Sequence, residues 1–460
     1  MLKTTKSPGK SIALSKDWTK GSVIQNVLML SWPMIILGIL YTSNLILEMV
    51  WVGKLGAASI AGVGVGGIVV ILVSTVKSGL GTGERAMVAR LVGGGDVAAA
   101  NHVTGQAFVI SAAYGAIITV IGIFFIEPIF NLFGLEADAA AEGVIYLRIV
   151  LAGWFTEAFW LTSLNVMQSS GDTMAPMKIA IIIRVVNAVI CPFLVLGWWI
   201  FPRLGVSGAA IAYITTTGLG MLLCLWIFFT GQTRLRLTMK DFYPDRKTIW
   251  RILKIGIPAS VMGLGKSFGD LIFIWFMIPF GTRPLAAHNL IARIESFLSS
   301  PGISFGMSAG ALVGQNMGAG QPKQAASSGW IATGLVEGLM IICSVVLLLW
   351  PENMIGLFNV EPELLQFGAT FLRIAVVGYL GMNVVYVLQS SISGAGDTVP
   401  TMIITLAMLL VVQLPLAFLL SRHTDLGVYG VRWAIVIGII VGAIAYITYF
   451  WQGRWKRKKV

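Results

Sequence analysis

The feature of this sequence that most constrains its fold is an internal repeat, in which the second half follows the first at a constant offset. Pro33 recurs as Pro258, and Gly95 recurs as Gly320. The tripeptide Gly171-Asp172-Thr173 recurs at the same spacing as Gly396-Asp397-Thr398, and we expect Asp172 and Asp397 to cap the helices that follow these turns. Two similar apolar halves that face each other across a central cavity are a frequent architecture of secondary transporters.

The composition indicates that lipid surrounds most of the chain. Hydrophobic residues make up 57% and charged residues 11%, whereas a soluble domain averages about 25% charged residues. The three cysteines, Cys191, Cys224 and Cys343, lie in apolar runs without metal or disulfide spacing, and the sequence predicts no cofactor and no metal site. The lysine-rich residues 1–23 lead into a full-length span, so we expect them to be retained rather than cleaved as a signal peptide.

The apolar segments predict twelve membrane-spanning helices, six in each half. Because six is even, both halves enter the membrane from the same side, and the repeats are parallel. We therefore predict an all-α integral membrane fold of twelve transmembrane helices in two parallel-repeat six-helix bundles. The predicted segments are an N-terminal tail at 1–23, an N-terminal bundle at 24–230, a basic linker at 231–247, a C-terminal bundle at 248–451 and a basic C-terminal tail at 452–460.

The distribution of Lys and Arg predicts that both termini are cytoplasmic. These residues cluster in the N-terminal tail, in residues 231–254 and in the tail from Arg454 to Lys459. The opposite loops carry few basic residues, namely Lys54, Arg203, Arg283 and Arg422. This asymmetry follows the positive-inside rule, and it accounts for the net charge of +12 without a nucleic-acid partner. We expect a multi-pass protein of the cell inner membrane.

Matches to soluble enzyme motifs do not fit their structural context. Gly265-Lys266-Ser267 is similar to the end of a phosphate-binding loop, but Ser260 stands where the leading glycine belongs. Gly302-Ile303-Ser304-Phe305-Gly306 fits a nucleophile-elbow pattern but lies in a predicted helix after Pro301. The sequence therefore predicts no enzyme and no ATP site, which leaves an ion gradient as the energy source.

Several motifs together resemble the multidrug and toxic compound extrusion (MATE) transporters. They are Glu48-Met49-Val50-Trp51-Val52-Gly53-Lys54-Leu55-Gly56, Ala286-Ala287-His288-Asn289, Val313-Gly314-Gln315-Asn316-Met317-Gly318-Ala319-Gly320 and the two Gly-Asp-Thr turns. Their order and spacing cover nearly the whole chain. The resemblance implies two six-helix bundles, alternating access, and export of organic cations driven by entry of H⁺ or Na⁺.

Acidic residues within the predicted spans are candidates for ion coupling. They are Glu48, Glu157, Asp270, Glu295 and Glu337. A charged carboxylate at the centre of a bilayer costs roughly 2.5–3.5 kcal/mol on insertion scales, so each is expected to face a cavity or a partner. A carboxylate in a low-dielectric site also binds a proton more readily, which suits an antiporter whose protonation expels a cation.

The predicted ion-coupling residues are Glu48, Glu157, Asn187 and Asp270. Glu48 ranks first because it lies where the resembling family has a helix-one aspartate. Asp270 has an alternative role, since Lys266 lies four residues earlier on the same helix face and would form an internal ion pair with it.

Helix five bears on the choice between H⁺ and Na⁺. Archaeal-type members of the resembling family have an asparagine there, followed four residues later by an aspartate just before a proline. Asn187 is present, but Cys191 precedes Pro192, and Tyr213 takes the place of the family's helix-six threonine. Na⁺ prefers several oxygen ligands over a thiol. This pattern favours H⁺ as the coupling ion, or else a relocated cation site that uses Glu157.

Polar side chains on other spans are predicted to contact the substrate. The candidates are Asn44, Asn165, Gln168, Tyr379, Asn383 and Gln389. The alternative for each is a structural hydrogen bond between helices.

The sequence therefore predicts an ion-coupled antiporter, with H⁺ favoured over Na⁺, that exports organic cations, drugs or other small amphiphilic compounds by alternating access. The alternative is a flippase for lipid-linked oligosaccharides or cell-wall precursors. A flippase cavity would need many basic residues to hold pyrophosphate, whereas acidic and basic residues within the spans are comparable in number here. The predicted partners are a small-molecule substrate, H⁺ or Na⁺ and membrane lipid, and the protein is expected to act as a monomer.

Overall fold

The computed structural model describes residues 16–199, 202–356, 358 and 361–458, without the side chains of residues 44–46 and 132. This part of the chain is helical and contains no β-strand, which confirms the predicted fold class. The first half contains α1 (Val23–Gly53), α2 (Ala57–Gly93), α3 (Val97–Phe124), α4 (Ile126–Leu132), α5 (Ala137–Ala152), α6 (Trp154–Ser169), α7 (Met174–Leu196) and α8 (Val206–Thr230). The second half contains α9 (Arg246–Met277), α10 (Thr282–Gly318), α11 (Pro322–Leu349), α12 (Pro351–Gly356), α13 (Pro362–Gly394), α14 (Thr398–Ala407), α15 (Leu414–Arg422) and α16 (Val428–Gln452).

The helix boundaries follow the sequence repeat. The helices α2 and α10 begin and end at equivalent positions of the two repeats, as do α3 and α11. Fewer residues separate the start of α8 from the start of α16 than separate the starts of the earlier equivalent pairs. The second half is therefore slightly shorter before its final helix. The same conformation also recurs at the turns, since Gly56 and Gly281 have φ values of 125° and 98°.

In the described part of the chain, ten helical segments are long and apolar enough to cross a membrane when α14 and α15 are counted as one, and the pair α5 and α6, bent by 54°, supplies another span. The twelfth span is α10, a 37-residue helix of lower hydropathy. Its residues from Ser308 to Asn316 are all buried within the protein, so they need not be apolar enough for lipid. The chain is thus a multi-pass membrane protein.

The two halves differ at two helix breaks. In the first half α5 and α6 are separated at Gly153, whereas α13 continues through the corresponding Gly378. In the second half α14 and α15 are joined by a π-helical segment, Met408–Gln413, with Pro415 just beyond it. No π-helical segment is found within α7, the corresponding helix of the first half. The repeat therefore does not impose identical helix geometry.

The chain forms two compact units. Unit 1 contains Ile36–Leu253 and the described residues up to Gly21, and unit 2 contains Ser22–Ile35 and the residues from Lys254 onward. The division falls inside α1 and inside α9. In unit 1 an apolar core forms around Leu147, Trp154 and Val195.

Unit 2 has its own apolar core, which includes Met277, Phe371 and Val431. Each of these three side chains is fully buried. Each unit therefore has a hydrophobic interior that positions its polar groups.

Close helix packing in unit 1 depends on glycine. A Cβ atom on Gly62 of α2 would lie 2.4 Å from the carbonyl oxygen of Ala139 on α5. A Cβ atom on Gly143, also on α5, would lie 2.7 Å from the carbonyl oxygen of Gly62. Gly64, two residues along α2, has no atom within 4 Å of such a Cβ. The glycine-rich run thus brings two helix backbones together at Gly62, as small residues do in membrane proteins.

An exposed ion pair occurs at the same place in both halves. Arg148 lies 2.8 Å from Glu127, and at the equivalent positions of the second repeat Arg373 lies 2.6 Å from Glu352. Each pair joins a long helix to the short helix before it. The repeat therefore extends to side-chain interactions.

The two Gly-Asp-Thr turns were expected to use their aspartates as helix caps, and only one does. Asp172 accepts a hydrogen bond from the backbone N–H of Ala175 at 3.1 Å, and burial raises the pKa of its carboxyl group. The side chain of Asp397 makes no capping hydrogen bond. It binds Lys458 at 3.1 Å and accepts a hydrogen bond from Tyr449 at 2.6 Å instead. The capping prediction was wrong for Asp397 because a nearby cation and hydroxyl occupy its oxygens.

Candidate functional site

The first candidate site surrounds Glu48 in unit 1. Glu48 lies on α1 and is 8% exposed. The hydroxyl of Tyr146 on α5 donates a hydrogen bond of 2.8 Å to its carboxylate. No ion pair joins Glu48 to a basic side chain in the described part of the chain. Glu48 is therefore a buried carboxylate with a neutral hydrogen-bond donor.

A second acid of unit 1, Glu157, belongs to the same cluster. Glu157 is 4% exposed near the start of α6. Arg184 of α7 lies within electrostatic range of both Glu48 and Glu157. Its guanidinium carbon is 5.9 Å from the ring centroid of Tyr41. The structure thus brings two of the predicted ion-coupling acids, Glu48 and Glu157, within electrostatic range of the same cation, Arg184.

Asn187 on α7 contacts a threonine of α8, although the resemblance placed Tyr213 at the position of the family's helix-six threonine. Its amide donates a hydrogen bond of 3.1 Å to the hydroxyl of Thr216 on α8. Thr216, rather than Tyr213, is therefore the α8 side chain that faces Asn187. The two positions are three residues apart, close to one helical turn, so spacing alone did not separate them. Cys191, one turn further along α7, is buried at 2% exposure.

A buried ion pair in unit 1 was not found from the sequence. Lys77 and Glu84 on α2 are both fully buried, and the Lys77 Nζ lies 2.7 Å from the Glu84 carboxylate. Asn165 on α6 donates a hydrogen bond to Glu84 at 3.4 Å and accepts one from Arg85 at 2.7 Å. Thr162 also donates to Glu84 at 3.4 Å. Asn165, predicted to contact substrate, is therefore hydrogen-bonded within a buried polar cluster.

The second candidate site is a cavity of about 400 Å³ inside unit 2. Charged residues in its wall are Lys266, Asp270, Glu295 and Arg432, and His288 lies beside them. Arg432 of α16 donates a hydrogen bond of 2.6 Å to Glu295 of α10. The cavity wall thus contains a close ion pair and two further charges on α9.

Lys266 and Asp270 do not form the internal ion pair that was considered for them. The Lys266 Nζ donates a hydrogen bond of 2.6 Å to the hydroxyl of Tyr386 on α13. It also lies 4.7 Å from the centroid of the same ring. Among the described residues no ion pair joins Lys266 to Asp270.

The remaining predicted substrate contacts separate into two groups. Gln389 lines the unit 2 cavity. Tyr379, Asn383 and Gln168 are buried at 2%, 0% and 5% exposure, and none of them lines that cavity. Asn383 fills the space above Gly302, where a Cβ atom would lie against its side-chain oxygen. The side chain of Asn44 lies outside the described residues.

Two cavity residues were missed as functional candidates. Arg432 is 2% exposed and lies in the first turns of α16, near the end of a predicted span where it was not singled out. His288, noted in the sequence only as part of a motif, has its Nδ1 atom 3.3 Å from Arg432. The sequence signal that could have identified Arg432 is a basic residue directly before a long apolar run.

Two repeated six-helix halves, each with buried charges inside an apolar unit, define the class of polytopic membrane transporters with internal repeats. The family comparison is more specific. The model of the MatE family matches residues 33–193 and again residues 258–419, and the chain belongs to this family. The two matches begin at Pro33 and at its repeat mate Pro258, which reproduces the repeat read from the sequence.

Relatives and solved structures align over nearly the whole chain. It is 23% identical to the probable multidrug resistance protein YoeA of Bacillus subtilis over 450 residues, 96% of each protein. It is 23% identical to the probable multidrug resistance protein NorM of Thermotoga maritima, over 90% of this chain and 89% of that protein. Its fold is similar to that of a MOP superfamily transporter from Pyrococcus furiosus, for which a reverse polarity of the binding pocket suggests a different function. The TM-score is 0.89 at 23% identity, over 98% of this chain and all of that one.

Proposed function

We propose that the protein is an ion-coupled antiporter that exports small amphiphilic compounds by alternating access. The observation that carries this proposal is Glu48, a carboxylate at 8% exposure whose hydrogen-bond partner is the neutral hydroxyl of Tyr146. Such a group gains or loses charge with one proton, and the two states favour different surroundings. The names of the relatives support drug export as the direction of transport.

We further propose that H⁺ is the coupling ion. Glu48 and Glu157 supply two buried carboxylates, and Arg184 lies within electrostatic range of both. When one acid is protonated, the guanidinium is free to favour the other, so a proton changes the interactions on α1, α6 and α7 together. The thiol of Cys191 beside this cluster is a poor ligand for Na⁺.

The proposed roles of the other predicted residues follow from their positions. Asp270 and Gln389 line the unit 2 cavity and are proposed to contact the substrate. Asn187 positions α7 against α8 through Thr216. Asn165, Gln168, Tyr379 and Asn383 are buried between helices, where they contribute to packing.

The proposed location is the cell inner membrane, with both termini in the cytoplasm and the protein acting as a monomer. The described basic residues near the ends of the chain, from Lys16 to Lys20 and from Arg454 to Lys458, support this orientation. A flippase for pyrophosphate-linked lipids fits the cavity less well, since its wall holds two acids, Asp270 and Glu295, against two bases.

The test is transport of the fluorescent cation rhodamine 123 by purified protein in liposomes, under an imposed gradient of either H⁺ or Na⁺. We expect the H⁺ gradient alone to drive transport. Glu48→Gln should abolish it, because glutamine keeps the size of the side chain but does not titrate. Glu136→Gln, at an exposed position before α5, is the matched control and should transport at the wild-type rate.

Two results would overturn these assignments. Transport driven by Na⁺ and indifferent to the H⁺ gradient would refute the coupling ion. Wild-type transport in Glu48→Gln would remove Glu48 from the mechanism while leaving the exporter assignment intact.

A further inference from the structure

We propose that the unit 2 cavity selects zwitterionic substrates, small amphiphiles that carry one anionic and one cationic group several ångströms apart. This inference rests on the proposed export function, and it names the substrate class that the second candidate site would take. It narrows the sequence-based expectation, which was organic cations, drugs or other small amphiphilic compounds.

The charges in the cavity wall separate into a closed pair and an open pair. Arg432 and Glu295 are 2.6 Å apart and neutralise each other. Lys266 and Asp270 lie four residues apart on α9, and both line the cavity. The open pair therefore presents one positive and one negative group to a ligand.

Lys266 is held in place by an uncharged partner. One of its three N–H groups donates to the Tyr386 hydroxyl at 2.6 Å, and the tyrosine ring lies beside the ammonium group. An ammonium group has three donors, so two remain for an anionic group of the ligand. A carboxylate or a phosphate would bind there as a charge-assisted hydrogen-bond acceptor.

Asp270 complements Lys266 on the same helix face. In the described part of the chain no hydrogen bond or ion pair occupies its carboxylate, and its side chain is exposed to the cavity. Side chains four residues apart on a helix have Cβ atoms about 5–6 Å apart. A ligand that bridges them needs an anionic and a cationic group that reach two side chains on one helix face.

Charge balance favours a zwitterion over a simple cation. A monocation bound at Asp270 would place a second positive charge near the ammonium of Lys266, which lines the same cavity four residues away, and this is unfavourable. A zwitterion satisfies both groups. The two charges of the cavity wall also disfavour ligands of the wrong charge.

The rest of the wall suits the apolar part of such a ligand. Met262, Phe273, Ile274, Met408 and Leu409 contribute aliphatic, thioether and aromatic surface. Methionine and aromatic side chains adapt to flat apolar groups.

The experiment compares two dyes that share one ring system. Rhodamine 110 carries a free carboxylate and a cationic xanthene, and rhodamine 123 is its methyl ester, which has only the cation. Their dissociation constants would be measured by fluorescence anisotropy with purified full-length protein in nanodiscs. We expect wild-type protein to bind rhodamine 110 at least about tenfold more tightly.

Variants assign this preference to the two residues. Lys266→Met should bind both dyes with similar affinity, and Lys266→Gln provides a second, polar substitution should the methionine variant fold poorly. Asp270→Asn should weaken both dyes, because both carry the cation. Lys323→Met, at an exposed position in the first turn of α11, should keep the wild-type preference.

Each outcome separates this inference from the export function. Equal affinity for the two dyes, preference for rhodamine 123, no binding of rhodamine 110, or a preference that persists in both Lys266 variants would overturn the inference. Export of rhodamine 123 would remain intact in each case. A strong preference for rhodamine 110 without gradient-driven transport would support the cavity assignment and contradict the export proposal.

Discussion

Breaking the buried Lys77–Glu84 pair should destabilise the protein far more than replacing both residues. The two side chains are fully buried, and their charged atoms lie 2.7 Å apart. The proposed substitutions are Lys77→Met, Glu84→Met and the double variant. Each exchanges a charged side chain for an apolar one of similar length.

The expected magnitudes follow from the partners that each variant leaves behind. Removing Glu84 leaves a buried ammonium group without a counter-ion, which costs about 3–5 kcal/mol. Removing Lys77 leaves the carboxylate with the donors of Thr162 and Asn165 at 3.4 Å, so its cost should lie near the lower end of that range. Replacing both charges is often nearly neutral, although Asn165 then loses an acceptor at about 1 kcal/mol.

The double-mutant cycle therefore predicts a coupling free energy of at least about 3 kcal/mol between the two positions. The free energy of unfolding would be measured by reversible denaturation in mixed detergent micelles. Lys323→Met, which removes an exposed lysine, should change it by less than about 0.5 kcal/mol. A double variant as unstable as the sum of the single variants would show that the two charges do not stabilise each other.

Three further predictions concern unit 1. Tyr146→Phe removes the hydrogen bond to Glu48. It should shift the pH dependence of transport in liposomes while leaving the yield of protein unchanged. An unshifted pH profile would mean that the hydroxyl does not act on Glu48. Gly62→Ala should lower the unfolding free energy by about 1–3 kcal/mol, because the added Cβ meets the backbone of α5. Gly64→Ala is the control and should not lower the unfolding free energy. Similar losses in both variants would contradict the packing argument. The hydroxyl of Thr19 and the ammonium of Lys20 lower the pKa of Asp17 to about 2, so its contribution to the N-terminal turn is complete above the unfolded pKa near 3.8 and is lost as pH falls toward 2. The protection factor of the Thr19 amide, which is its exchange rate relative to the intrinsic rate at the same pH, should fall over that range in wild-type protein and stay constant in Asp17→Asn; a constant protection factor in wild-type protein would contradict this.

The sequence determined most of the fold because its strongest signals are local. Apolar runs and the internal repeat predicted all twelve spans, since every lipid-facing helix must be apolar along its length. The break at Gly153 was not predictable in this way. The corresponding Gly378 lies within a continuous helix, so packing rather than residue type decides where the helix bends.

The candidate sites were predicted less completely because they depend on contacts between helices. Glu48 and Glu157 stood out as acids in apolar segments, and the structure does bury both. The Lys77–Glu84 pair was missed because α2 has 37 residues and is about 55 Å long, well beyond a single bilayer span. Its charges fell outside the stretch that hydropathy assigns to the membrane. The orientation of Lys266 toward Tyr386 rather than Asp270 likewise depends on α13, which no local pattern reveals.

The π-helical segment Met408–Gln413 determines which side chains its helix presents to the second cavity. A π-helical turn holds about one more residue than an α-helical turn, so this helix contains a surplus residue. One residue corresponds to a rotation of about 100° about the helix axis, so the part of the helix beyond the segment is turned by that angle relative to a continuous α-helix. Met408, Leu409 and Gln413 all line the cavity. The surplus residue therefore sets the lining of the cavity on this side.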